Sequence, residues 1–157
     1  MDPALPAVSG PWWPDEMEAF LPEQLVSDAD HLSLSRLVVE IAWRIDHGQA
    51  DRVWELFVPD GVLDTSGTPL VGHNAILEWG RARVASTVQT RHICSGMRFN
   101  DRGSDRATGS TLLTVFMHDG DGRGPAVPAV VGEDADEFLR TNAGWRFASR
   151  RFETLFA

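Results

Sequence analysis

Four long strand-like runs fill the second half of this chain, and that constrains its fold more than any other feature. They are QTRHICSGMRFN, RATGSTLLTVFMH, AVPAVVGEDADEFLRTN and GWRFASRRFETLF. Turn or loop sequences separate them: DRGSD, DGDGRGP and Asn142-Ala143-Gly144. Helical patterns dominate the stretch ahead. From Asp28, residues Leu34, Leu37, Val38, Ile41, Ala42 and Ile45 recur at helical steps, and Gly48 supplies a stop. QADRVWELF predicts a short second helix, ended by a turn at Pro59-Asp60-Gly61. GVLDT reads as a short strand and Ser66-Gly67 as a turn. GHNAILEWGRARVAS reads as a third helix with Ile76, Trp79 and Val84 apolar. Helices followed by antiparallel strands predict an α+β domain, its sheet covered on one face by helices. A chain of 157 residues makes about one domain and buries enough surface to need no staple.

Residues 1–28 stand apart. They contain Pro3, Pro6, Pro11, Pro14 and Pro22, a density that breaks regular structure. Trp12, Trp13, Phe20 and Leu21 are poor residues to leave in water, so an arm packed on the domain or a neighbouring subunit is expected over a disordered leader. The domain proper is expected over 29–157. The opening residues lack a basic region followed by an apolar core, so no signal peptide is expected. A single cysteine, Cys94, permits no internal disulfide and points to a cytoplasmic setting.

Charge narrows the partners. Lys+Arg number 14 against Asp+Glu 23, a net charge of −9. Nucleic acid and anionic membranes are disfavoured, because both are bound mainly through basic residues. Tyrosine is absent, which removes any mechanism that needs a phenol as proton donor. No HxH, HxxxH or HExxH pair exists, so a metal is not expected. There is no GxSxG turn, and DGDGRGP contains no P-loop pattern.

Two residues stand out. Asp46 ends the first helix beside Ala42, Val39 and Trp43, on a mostly apolar surface. A helix C-terminus disfavours an anion, so the carboxylate either points into water or has a partner. His92 lies within the first long strand. Alternation groups Thr90, His92, Cys94 and Gly96 on one face and Arg91, Ile93, Ser95 and Met97 on the other. A lone strand histidine is either a satisfied structural group or a group lining a polar cavity. His118 ends the next strand on the face of Leu112, Thr114 and Phe116. His31, His47 and His73 fall at helix ends or in loops.

The segments RIDHGQADRVWELFVPDGVL, PLVGHNAILEW, TRHICSG and VVGEDADEFLRTNAGWRFASRRF, taken in order, resemble the SnoaL-like branch of the nuclear transport factor 2-like superfamily. The nearest flavour is the subgroup of scytalone dehydratase, bile-acid dehydratase and hexachlorocyclohexane dehydrochlorinase. The resemblance implies a cone-shaped α+β barrel: a curved sheet wrapped over three helices around a deep apolar pocket. It also implies that Asp46 pairs with His92 and that Arg150 faces the same pocket. Strict alternation puts Trp145 and Arg150 on opposite faces, so either a bulge intervenes or Arg151 faces inward. Trp43, Cys94, His118 and Asp134 are the further expected pocket residues. Asp134 stands where the family often carries a tyrosine, with Asp136 two residues on.

An imidazole oriented by a carboxylate is a base near neutral pH. With Arg150 stabilising an enolate or leaving group, such a pair suits cofactor-free elimination, most simply dehydration of a small cyclic or polyketide-like carbonyl compound. Cyclisation or isomerisation uses the same parts. The contrasting expectation is a non-catalytic domain of this fold that binds an apolar ligand or serves assembly. The small subunit of a ring-hydroxylating dioxygenase shares the fold. The resemblance further implies a homo-oligomer, dimer or trimer, built on the outer face of the sheet.

Overall fold

A computed structural model describes residues 25–65 and 67–157. The arm expected over residues 1–28 therefore lies mostly outside the described residues. Its last part meets the domain: Leu25 bridges to Asn100, and the Val26 N–H donates to the Phe99 carbonyl.

Helix α1 spans Asp28–Asp46, capped by the Ser27 side chain, which accepts from the Asp30 N–H. Leu34, Leu37, Val38, Ile41 and Ala42 form its buried stripe. The second helical segment is a 3₁₀ turn, Ala50–Leu56, and α2 spans Gly72–Val84. The strands are β1 Phe57–Asp64, β2 Leu70–Val71, β3 Val88–Asp101, β4 Arg106–Asp119, β5 Val130–Thr141 and β6 Gly144–Phe156. Together they form one six-stranded sheet in the order β2-β1-β6-β5-β4-β3.

Three expectations are corrected. The sheet is mixed, because β1 runs parallel to β6. It is also open: β2 and β3 are its two edges, so it does not close into a barrel. Pro59-Asp60-Gly61 does not end a helix but lies within β1, where the register to β6 shifts between Phe57 and Val62. A proline is tolerated at such an irregularity, since its missing N–H removes no ladder bond there.

The core lies between the helices and one face of the sheet. A row of rings crosses that face: Phe57 to Phe147 at 5.1 Å, Phe147 to Phe138 at 5.0 Å, and Phe138 to Phe99 at 5.7 Å. The last pair spans β4, whose residues facing them across the ladder, Ala107 and Gly109, are small. A Cβ on Gly109 would sit 2.5 Å from the Phe99 ring. The N-terminal end of α1 is tied to the β5–β6 hairpin through Asp30, which accepts from Trp145 Nε1 at 2.9 Å and Arg140 Nη2 at 2.6 Å. No helix among the described residues is long and apolar enough to cross a membrane.

Helix α2 and the 3₁₀ turn touch at Gly80. A Cβ there would lie 2.6 Å from the Ala50 carbonyl carbon and 2.8 Å from Asp51 Cα. Helix propensity alone favours alanine by about 1 kcal/mol, but overlap with backbone costs more. Gly80→Ala is expected to lose about 2 kcal/mol in urea denaturation. An unchanged or raised midpoint would contradict this close approach.

Candidate active site

Asp46 is the last residue of α1, one turn beyond Ala42, and its carboxylate meets β3. His92 Nδ1 lies 2.6 Å from Oδ1, and the His92 backbone N–H donates to Oδ2 at 2.8 Å. The Thr90 hydroxyl donates to Oδ1 at 2.8 Å. Thr90 in turn accepts from Arg83 Nη2 of α2 at 3.0 Å. Arg91 Nη1 donates to the Asp46 carbonyl at 2.9 Å, satisfying one of the orphan acceptors of a helix end. Burial works to raise the Asp46 pKa, but the bonds from the His92 ring and backbone and from Thr90 outweigh it. The carboxyl is held below the usual range. An ionised acceptor at Nδ1 places the ring proton there and leaves Nε2 as the basic nitrogen. The side chain of Asp46 is 6% exposed and that of His92 13%, so the ring keeps an accessible edge.

Arg150 faces inward because of a bulge. The pairing of β5 with β6 shifts between Glu137↔Ser149 and Phe138↔Phe147, leaving Ala148 as the extra residue. Trp145, Phe147 and Arg150 are therefore all buried, and Arg151 is exposed. The guanidinium is not free, however. Nε and Nη2 donate to the two oxygens of Asp136 at 2.8 and 2.7 Å, and Nη1 stands 3.5 Å from Asp134 Oδ2. The guanidinium expected to stabilise an enolate or leaving group is thus already engaged by a bidentate carboxylate, the strongest partner available to it.

Asp136 is the residue beside Arg150 that sequence reasoning left out of the site. The signal was present: in GEDADEF, two acids two positions apart on a strand must share a face. Burial pushes Asp134 up to about 6, with Arg150 opposing and Asp136 reinforcing the rise. Burial raises Asp136 as well, but the fork from Arg150 makes it the better-stabilised anion of the two. Cys94 lies on the His92 face, paired with Leu113. Burial pushes its thiol up to about 11, so at neutral pH it is no nucleophile. After Cys94 the simple alternation fails. A register shift between Ser95 and Arg98, with Gly96 at φ +59°, turns Phe99 into the core.

Two expected pocket residues are elsewhere. His118 lies on the opposite face of the sheet, because the pairing His92↔Val115 puts Thr111, Leu113 and Val115 on the His92 side and Leu112, Thr114, Phe116 and His118 on the other. It rests against Gly124, and its Nε2 lies 3.4 Å from the Asp121 carbonyl. Trp43 falls on the outer flank of α1, 54% exposed and stacked on His47 at 3.7 Å. There it lines a groove of about 530 Å³ with Ser35, Arg36, Val39 and Glu40, away from Asp46. His31 packs edge-on against Phe99, and His73 Nε2 lies 3.0 Å from the Phe57 carbonyl. Among the described residues, no three His, Cys, Asp or Glu side chains cluster so as to hold a metal ion.

The raised pKa of Asp134 fixes a sign. Ionising this carboxyl penalises the fold, so the penalty is absent below about pH 4, grows towards about pH 6 and is constant above. Asp134→Asn removes it. The variant is expected to gain stability relative to wild type as pH rises from about 4 to about 7 in urea titrations. A flat or shrinking gap would mean that Asp134 ionises as freely folded as unfolded.

Comparison with known proteins agrees with this architecture. Comparison with the curated proteins returned no match. Among solved structures, a protein of Novosphingobium aromaticivorans provisionally named an aromatic ring hydroxylase is 27% identical, with a TM-score of 0.74, covering 84% of this chain and 93% of that one. An NTF2-like protein with a cystatin-like fold from the same species is 26% identical, with a TM-score of 0.67, covering 81% and 82%. A third Novosphingobium protein, provisionally named a scytalone dehydratase, is 15% identical with a TM-score of 0.71, covering 82% and 85%, and shows the fold alone. The family model for the SnoaL-like domain matches residues 28–151, and the chain belongs to that family.

Proposed function

We propose that this protein is a cofactor-free lyase that dehydrates a small cyclic or polyketide-like carbonyl compound. The observation that carries the reading is the contact of 2.6 Å between Asp46 and His92 Nδ1, with an edge of the ring left accessible. A base of this kind removes a proton next to a carbonyl, and positioned acid–base catalysis contributes on the order of 10²–10⁴-fold. All 14 basic residues are arginines, so this sequence offers no lysine to form an imine with the carbonyl. The α-proton must therefore be acidified by the substrate's own carbonyl and by hydrogen bonds. Cyclisation or isomerisation of a polyketide-like molecule begins with the same proton removal. Ile93 and Leu112 leave apolar side chains exposed on the sheet face opposite the site, which supports the expected homo-oligomer.

A second reading is a non-catalytic domain of this fold that binds an apolar ligand or serves assembly, supported by the exposed groove of α1 that Val39 and Trp43 line. In that reading Asp46 and His92 merely fasten α1 to β3. The two readings part on one substitution. With a panel of cyclic β-hydroxy ketones, His92→Ala is expected to lose at least about 100-fold in kcat/KM while its circular dichroism spectrum is unchanged. A folded, fully active His92→Ala protein would exclude His92 as the base. Asp46→Asn is expected to be impaired as well, because it opposes an amide donor to three existing donors and frees the ring to take the wrong tautomer.

A further inference from the structure

Among the described residues, the interior beside His92 brings together the cation Arg150 and the carboxyls Asp134 and Asp136. Asp136 takes the bidentate face of Arg150, at 2.8 and 2.7 Å. Asp134 is left with a single ion-pair distance of 3.5 Å, and its Oδ2 makes no hydrogen bond although the residue is only 2% exposed. Across the ladder from Asp134 stands Thr111, fully buried, whose hydroxyl oxygen also has no partner. Two orphaned polar atoms on adjacent strands, facing the helix side of the sheet, are costly unless something completes them.

Charge decides which form Asp134 takes. Arg150 can neutralise one carboxylate, and Asp136 holds it by the better geometry. The other groups whose charge bears on Asp134 are Glu133 beside it and His92 on β3. Cys94 on β3, a neutral thiol at working pH, is in electrostatic contact with Asp134, Arg150 and Asp46 together. With Asp46 also ionised, the interior carries more negative than positive charge unless a proton is retained. Two like-charged acids in a buried site resolve by one keeping its proton.

We infer that Asp134 is the general acid of this site, giving its proton to a departing hydroxyl, and that the site takes an uncharged β-hydroxy carbonyl compound rather than an anion. The inference rests on the lyase reading above and deepens it. The step balances. His92 Nε2 takes the proton next to the carbonyl, the electron pair forms the C=C bond, and the β C–O bond breaks. The Asp134 proton joins the departing oxygen to give water. The imidazolium then returns its proton to the Asp134 carboxylate through solvent. The product is the α,β-unsaturated carbonyl compound. Arg150, tied to Asp136, holds the acid in place and is a positioning residue rather than an anion receptor.

The test compares two ketones of one skeleton, one with a β-hydroxyl and one with a β-(4-nitrophenoxy) group, which leaves as an anion without needing a proton. Asp134→Asn is expected to lose at least about 100-fold on the hydroxy ketone and less than about 3-fold on the nitrophenoxy ketone. His92→Ala is expected to lose both. Equal losses in Asp134→Asn on the two ketones would overturn the acid role while leaving the lyase reading intact. A wild type inert to both would overturn the lyase reading and the acid role with it. If Asp134→Asn fails to fold, the wild type alone decides. Expulsion of nitrophenoxide without hydroxide overturns the proposal, and comparable turnover of both supports it. Carboxyl-carbon NMR of aspartate-labelled wild type gives a readout independent of turnover. One buried carboxyl is expected to hold its proton to near neutral pH, and titration of every aspartate below pH 5 would overturn the proposal.

Discussion

A carboxylate stands at the negative end of a helix, where the helix dipole opposes it, and the rest of the structure is arranged to keep it there. Asp46 survives ionised because β3 offers it three donors: the His92 ring, the His92 backbone and Thr90. Those bonds do two jobs. They fasten the C-terminal end of α1 over the edge strand, as Asp30 fastens the N-terminal end to Trp145 and Arg140. They also fix the imidazole through Nδ1, leaving Nε2 as the ring nitrogen that the carboxylate does not engage. Arg83 and Arg91 extend the arrangement, steadying Thr90 and the last carbonyl of the helix. Breaking a pair of this kind leaves an uncompensated buried charge, which costs more than the pair contributes.

The second constraint is the number of charges the interior can hold. Arg150, Asp134 and Asp136 are 6%, 2% and 3% exposed. A guanidinium buried so deeply needs a carboxylate, and the β6 bulge at Ala148 delivers it to Asp136. The pairing removes Arg150 as an unengaged anion receptor. It leaves Asp134 as the carboxyl with no strong claim on the cation. The base and the acid of the proposed reaction thus come from one principle applied twice: a carboxylate with several donors stays ionised, and one without them keeps its proton.

Much of this was legible in the residues. The periodicity of Leu34, Leu37, Val38 and Ile41 placed α1 correctly, and the four strand runs fell where the pattern put them. Asp46 was legible as an acid that nothing local recommended. The Arg150 ambiguity was legible too, since period two conflicted with the resemblance and only a bulge could reconcile them. What was hidden came from register, which one strand alone cannot disclose. The face of His118 depends on the pairing of Val115 with His92, and that is a property of two strands. Trp43 misled because it neighbours Asp46 on the helix wheel yet lies on the flank that β3 does not cover. The parallel pairing of β1 with β6 joins residues about ninety positions apart and leaves no local trace.

The tautomer of His92 decides most directly whether Asp46 orients the ring. Long-range proton–nitrogen NMR of the ¹⁵N-histidine-labelled protein at neutral pH distinguishes a protonated ring nitrogen from a bare one. A proton on Nδ1, shared with Asp46, and a bare Nε2 are expected. A ring with the proton on Nε2 and a bare Nδ1 would mean that the carboxylate does not orient the imidazole, and the assignment of His92 as the base would fall.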